Sequence, residues 1–202
     1  MIRTIIFDIG NVLADFKWRE YLDSFSLPDE EREAIERVLF LNPRWQEIDR
    51  GKVPEDEILA EACAEAPRYE ASIRRIYSGA AEAVSQNSYA PALLRSLKEL
   101  GYRIYILSNY GKTFFEDRLS CFEFLNYVDG RVVSYEVHSV KPEPEIYEAL
   151  LERYKIRPEE AVFFDDLPQN LEAARRFGLS TVLVTGYESI VEGLRSFGIE
   201  IE

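Results

Sequence analysis

The sequence predicts a doubly wound α/β fold, a parallel sheet covered by helices on both faces, with a small α-helical module inserted after the first strand. Three observations carry this expectation. Short apolar runs, Ile5-Ile6-Phe7, Ile104-Tyr105-Ile106-Leu107 and Val162-Phe163-Phe164, end in polar residues and turn signals. Helical patterns of about ten residues separate the later runs, which implies right-handed crossovers and parallel strands. From about Phe16 to Ser88 the pattern is instead acidic and helix-favouring, with no convincing strand.

In chain order, the first run delivers Asp8 to a turn at Gly10-Asn11. Helical patterns follow over residues 29–41, 42–49, 54–64 and 69–84, with Gly51 placed to end one helix and Pro54 to open the next. Helix then alternates with strand: 91–100 and 103–107, 112–120 and 127–134, 143–154 and 161–164. The last unit is a helix over 168–177, stopped by Gly178, and a strand over 181–184. Residues 1–15 and 89–202 are thus expected to form the core, and residues 16–88 the helical insert. No internal repeat or low-complexity tract is visible.

Composition bounds the function. Of 202 residues, 47% are apolar, 13% aromatic and 30% charged, the balance of a globular domain. With 37 acidic against 24 basic residues the formal charge is −13, which leaves no basic footprint for nucleic acid and repels anionic membranes. Cys63 and Cys121 lack metal-ligand spacing, and no stretch is long and apolar enough to span a bilayer. The opening residues read as a core strand rather than a leader, so the expected compartment is the cytoplasm and the thiols are expected reduced.

The polar residues at the strand ends complement one another. Asp8, Ser108-Asn109, Lys141 and Asp165-Asp166 are expected in one crevice beyond the carboxyl edge of the sheet, where open α/β sheets bind ligands. Each also has a purely structural reading, since Asp caps turns and Asp166-Leu167-Pro168 reads as an N-cap followed by Pro. Two consecutive aspartates after an apolar strand are costly, however, unless something positive sits on them. Three carboxylates beside a lysine suit a hard cation such as Mg²⁺.

These segments resemble, in order and over almost the whole chain, the four motifs of the haloacid dehalogenase-like hydrolase superfamily, whose core is Rossmann-like. Phe7-Asp8-Ile9-Gly10-Asn11-Val12-Leu13 resembles the first motif and Leu107-Ser108-Asn109 the second. Lys141-Pro142-Glu143-Pro144-Glu145-Ile146-Tyr147 resembles the third; Phe163-Phe164-Asp165-Asp166, with Asn170 and Ala173-Ala174, resembles the fourth. The resemblance makes the insert a small cap domain and implies a Mg²⁺-dependent phosphatase acting on a small phosphorylated metabolite. It implies Asp8 as nucleophile and metal ligand, with a phospho-aspartate intermediate. The Ser108 hydroxyl and Asn109 backbone N–H are implied to hold the phosphoryl oxygens, and Lys141 to neutralise charge. Asp166 and the Gly10 carbonyl are implied as metal ligands, and Asp165 as a ligand through water.

One departure matters. The family's phosphatases carry a second Asp two residues after the nucleophile, as general acid and base, and here that position is Gly10. What is lost is proton delivery to the leaving oxygen, about 10²–10⁴ in rate for a general acid. Substrates with a more acidic leaving group, such as a hexose 1-phosphate, are therefore expected. The Asp-x-Gly-Asn-Val variant resembles a bacterial branch that includes an α-D-glucose 1-phosphate phosphatase. A carbon–halogen hydrolase using the same aspartate, or a non-catalytic domain binding a phosphorylated ligand or a protein, are the alternatives. Dehalogenation needs no metal carboxylates, and a binding module needs no nucleophile.

His138, the single histidine, reads as a loop residue tolerated in a left-handed turn. In the insert, Arg44, Trp45, Glu47, Asp49 and Arg50 lie near the Gly51 turn, and Arg44 and Trp45 are the candidates for substrate contact. Tyr110 and Gly111, directly after the second motif, have a better positional claim on the crevice.

Overall fold

A computed structural model describes residues 1–119 and 121–201. Five parallel strands form the central sheet in the order β5-β4-β1-β6-β7: β1 (Thr4–Phe7), β4 (Arg103–Ser108), β5 (Gly130–Val133), β6 (Ala161–Asp165) and β7 (Ser180–Leu183). The central strand β1 pairs Phe7 with Ile106 of β4 and with Phe164 of β6, so β6 runs one residue and β4 two residues past the end of β1. Alternate residues of these strands enter opposite layers. Ile5, Phe7, Ile106 and Phe164 join one apolar cluster, and Ile6, Leu107 and Phe163 join another. This two-sided burial is why the runs are continuously apolar rather than alternating.

The helices that cover the sheet are α6 (Ala90–Glu99), α7 (Lys112–Leu119), α8 (Ser134–Val137), α9 (Pro144–Tyr154), α10 (Pro168–Arg176) and α11 (Tyr187–Ser196). Ser120, the expected last residue of α7, lies outside the described residues. The strand expected over 127–134 is shorter, because Glu123–Tyr127 forms a 3₁₀ turn. Asp129 then exchanges bonds with Ile104, donating from its N–H to the Ile104 carbonyl (2.7 Å) and accepting the Ile104 N–H at Oδ2 (2.7 Å). β5 begins only after this clamp.

Helices α1 (Trp18–Asp23), α2 (Asp29–Val38), α3 (Trp45–Arg50), α4 (Glu55–Glu65) and α5 (Glu70–Ser78) build the insert around their own apolar cluster. Gly51 ends α3 in the left-handed conformation (φ 65°) and Pro54 precedes α4, as the sequence predicts. Ile48 of α3 is buried in this cluster, and Phe114 of α7 enters it from the core. Burial of a side chain such as Ile48 contributes about 2 kcal/mol to holding its helix.

The expectation of no strand between Phe16 and Ser88 is corrected. β3 (Val84–Gln86) pairs antiparallel with β2 (Ala14–Phe16), Phe16 facing Val84. A three-residue ribbon is too short to show a period-2 pattern. Its register is set from outside, by the Asn87 N–H on the Leu13 carbonyl (3.0 Å) and the Lys17 N–H on the Ala83 carbonyl (2.8 Å).

Candidate active site

Asp8, Ser108 and Asp165 lie at the carboxyl ends of the three adjacent strands β1, β4 and β6. β1 stays tied to β6 to its last step, since the Asp8 N–H donates to the Phe164 carbonyl (2.9 Å). The chain then turns tightly: the Ile9 carbonyl accepts from Leu13 and Ala14 (both 2.9 Å), and Asn11 is left-handed (φ 53°). Asp8 Oδ1 accepts the Ile9 N–H at 2.7 Å, and the Ser108 hydroxyl also bonds its carboxylate.

Lys141 reaches the same place from the loop before α9. Asn109 holds its backbone at both ends, accepting the Lys141 N–H at Oδ1 (2.7 Å) and donating from Nδ2 to the Lys141 carbonyl (3.0 Å). Lys141 is 3% exposed, and its ammonium lies 2.9 Å from Asp8 Oδ1 and 2.7 Å from Asp165 Oδ2. Burial pulls its pKa down, but Asp8 and Asp165 outweigh burial, and the net direction is upward. Asp165 is engaged on both oxygens, by Lys141, by the Leu167 N–H (2.8 Å) and by Asn170 Nδ2 (3.0 and 3.1 Å). Asp166 accepts Asn11 Nδ2 at 2.9 Å.

The electrostatics leave this cluster short of positive charge. Three carboxylates face one ammonium, and oxygens of Asp8, Asp165 and Asp166 all lie within 4.8 Å of one another. Burial, partly offset by Lys141 and reinforced by Asp165, raises the Asp8 carboxyl to about 6. Burial also raises Asp166, against the Asn11 amide. An all-oxygen donor set with excess negative charge fits a hard divalent cation, which could be held by Asp8, Asp166 and the Gly10 carbonyl. Asp165, already saturated, suits a supporting place.

A pocket of about 120 Å³ opens at the turn after Asp8, bounded by Ile9, Gly10, Asn109 and Gly111 of the core and closed by Phe16, Trp45 and Phe114. Trp45 stacks on Phe114, ring centroids 5.4 Å apart at 9°. Tyr110 lines the pocket too, and its buried hydroxyl has no hydrogen-bond partner among the described residues. A Cβ added at Gly10 would meet nothing within 4 Å, so nothing steric excludes a side chain there.

Among the described residues that line the pocket, one carries a carboxyl, Asp49 of α3. Burial raises it to about 7; the Gly111 N–H opposes this, Asp8 and Glu55 add to it, and Lys141 opposes it. The sequence ranked Asp49 below Arg44 and Trp45. Trp45 and Tyr110-Gly111 reach the pocket, whereas Arg44 turns to Glu61 of α4 in a two-pronged ion pair (2.7 and 2.9 Å). His138 is left-handed (φ 55°), as its sequence setting predicts, and its Nδ1 lies 3.2 Å from the Arg50 carbonyl, away from this pocket.

Residues 2–178 match the family model of the haloacid dehalogenase-like hydrolases, and the chain belongs to that family. It is 32% identical over 140 residues to the bifunctional epoxide hydrolase 2 of Rattus norvegicus, covering 67% of this chain but 25% of that protein. It therefore spans about a quarter of that relative's length. Relatives matched over most of their length are D-ribitol-5-phosphate phosphatase of Bacteroides thetaiotaomicron (27% identical; 90% of this chain and 91% of the relative) and the sesquiterpene phosphatase astK of Aspergillus oryzae (25%; 88% and 87%). A haloacid dehalogenase-like enzyme of Bacteroides thetaiotaomicron, solved as a magnesium complex, superposes with TM-score 0.78 at 22% identity, covering 96% of this chain and 98% of its own. An L-2-haloacid dehalogenase of Xanthobacter autotrophicus superposes at 0.67 with 18% identity, covering 100% and 85%. At such identities the superpositions show the fold alone.

Proposed function

We propose that this chain is a Mg²⁺-dependent phosphatase of a small phosphorylated metabolite, working through a phospho-aspartate on Asp8. The observation that carries the reading is Lys141, whose ammonium joins Asp8 to Asp165 beside Asp166 at the sheet edge. A lone nucleophile needs none of these partners. The phosphatase relatives support the same reading, with the magnesium complex of the Bacteroides enzyme as an analogy for the cation.

In this reading an Asp8 carboxylate oxygen attacks phosphorus as the ester P–O bond breaks. Lys141 keeps Asp8 ionised despite its burial and balances charge on the transferring group. The Ser108 hydroxyl and Asn109 N–H orient the phosphoryl oxygens. Asp8, Asp166 and the Gly10 carbonyl would hold Mg²⁺, with Asp165 in a supporting place, and the bound ion would neutralise phosphoryl charge. Water then attacks phosphorus and releases Asp8. Residues 16–88 act as the cap, which the β2–β3 ribbon joins to the core, and their lining sets specificity.

The pocket has about the volume of an engineered cavity that takes one benzene ring. Its aromatic lining supports a compact leaving group with an apolar face, and a hexose 1-phosphate is the polar comparison. The test is phosphate release from 4-nitrophenyl phosphate with and without Mg²⁺. Release that needs Mg²⁺ and is lost in Asp8→Asn is expected; wild-type release no greater than that of the variant overturns the reading. A parallel assay of halide release from 2-chloropropionate separates it from dehalogenation.

A further inference from the structure

Gly10 cannot supply a general acid, but the pocket it lines also holds the Asp49 carboxyl. We infer that Asp49, carried into the pocket by the cap, is a catalytic residue that protonates the leaving-group oxygen; this rests on the phosphatase reading. Gly10 and Asp49 line one pocket, which also contains Asn109 from the phosphoryl side. The open space at Gly10 means that a carboxyl and a substrate can meet there without a side chain from the core.

The cap does not present Asp49 loosely. The Ser134 hydroxyl donates to the Asp49 carbonyl (2.5 Å), Arg50 Nη1 bonds Glu143 Oε2 (2.6 Å), and His138 Nδ1 meets the Arg50 carbonyl (3.2 Å). Glu143 also accepts the Val140 N–H (3.2 Å) and the Ser139 hydroxyl (3.1 Å). One carboxylate thus fastens the residue after Asp49 to the residues before Lys141. The proton donor and the ammonium beside the nucleophile are placed by a single knot.

The charges facing Asp49 suit it to hold and release a proton. Asp8 at the end of β1 and Glu55 on α4 oppose its ionisation, while Lys141 and the Gly111 N–H favour it; the hydroxyls of Tyr77 and Tyr110 also feel its charge. As the bond from Asp8 to phosphorus forms and the ester P–O bond breaks, the departing oxygen takes the Asp49 proton. The Asp49 carboxylate then takes a proton from the water that attacks phospho-Asp8. The P–O bond to Asp8 breaks, and both carboxyl groups return to their starting states.

The test compares leaving groups by kcat/KM, which reads formation of phospho-Asp8 and not its hydrolysis. The substrates are 4-nitrophenyl phosphate, whose phenolate departs unaided, and benzyl phosphate, whose alkoxide does not. Asp49→Asn is expected to lose about 10²–10⁴ on benzyl phosphate and less than about tenfold on 4-nitrophenyl phosphate, which also reports that it is folded. Gly10→Asp in the Asp49→Asn background should recover at least about tenfold on benzyl phosphate. Equal losses on both substrates with no recovery in the double variant, or no loss on benzyl phosphate, overturn the inference. So does a wild type that accepts 4-nitrophenyl but not benzyl phosphate. A wild type no better than Asp8→Asn on 4-nitrophenyl phosphate overturns the phosphatase reading itself, and the inference with it.

Discussion

Arg50 Nη1 lies 2.6 Å from Glu143 Oε2, and this ion pair joins the last turn of α3 in the insert to the loop that carries Lys141. Glu143 is held well below the usual carboxylate range, at about 2, chiefly by the Arg50 hydrogen bond, against partial burial. A depressed carboxyl stabilises the fold fully above its ordinary value of 4.5 and loses that contribution as pH falls through its folded value. The side chains are 16% and 36% exposed, so solvent screens the pair. A contribution of about 1 kcal/mol is reasonable for such a pair.

Glu143→Gln should therefore lower the Tm at pH 7 by about 2–4 °C. The gap between variant and wild type should close as pH falls from about 5 toward 2, read by thermal denaturation across that range. A gap that is constant with pH would show that the charge of Glu143 does not hold the insert.

Gly51 makes the same junction sterically tight. Its φ of 65° is left-handed, and an added Cβ would lie 3.0 Å from Tyr135 Cβ and 3.2 Å from its Cα. Both neighbours are close to backbone and cannot swing away. Gly51→Ala should cost about 1–2 kcal/mol and displace the end of α3, lowering turnover through Asp49. Wild-type stability in the variant would contradict this.

Among the described residues, Lys141 is the sole cation of the buried charged groups at the sheet edge. Lys141→Met leaves Asp8 and Asp165 facing each other without an ammonium, a loss of about 3–5 kcal/mol for a buried charge stripped of its partner. Mg²⁺ should raise the Tm of the wild type, and Asp166→Asn should abolish most of that rise. At a hundredfold excess over Kd the wild-type gain is about 2.7 kcal/mol. A rise undiminished in Asp166→Asn would place the cation elsewhere.

The strand-end residues were legible because local chemistry announces them. Asp8, Ser108 and Asp165 each end an apolar run whose two-sided burial admits few other residues, and Lys141 sits in a Pro-punctuated loop. Asp49 was not, because Trp45–Arg50 offers two acids whose sequence settings look alike. Glu47 pairs with Arg50 at 3.3 Å, whereas Asp49 turns into the pocket. That choice is made by contacts from Ser134 and Gly111, more than sixty positions away, which no local pattern encodes. The β2–β3 ribbon was missed for the same reason, since its register is fixed by residues flanking both of its short strands.

Trp45 bounds the pocket and sits in an aromatic group with Phe114, Phe40 (5.5 Å) and Phe16 (6.1 Å). Truncating it removes both packing and wall. Because Trp45 is only partly buried, Trp45→Ala should cost about 3 kcal/mol, the low end for a large aromatic. The widened pocket should then favour a larger leaving group. We expect the ratio of kcat/KM for 1-naphthyl phosphate over 4-nitrophenyl phosphate to rise by about tenfold or more, the discrimination that a hydrophobic wall commonly supplies. Both leaving groups are phenolates, so the ratio reads the size of the pocket rather than proton delivery. If the variant is folded and the ratio is unchanged, the leaving group does not occupy the space that Trp45 closes.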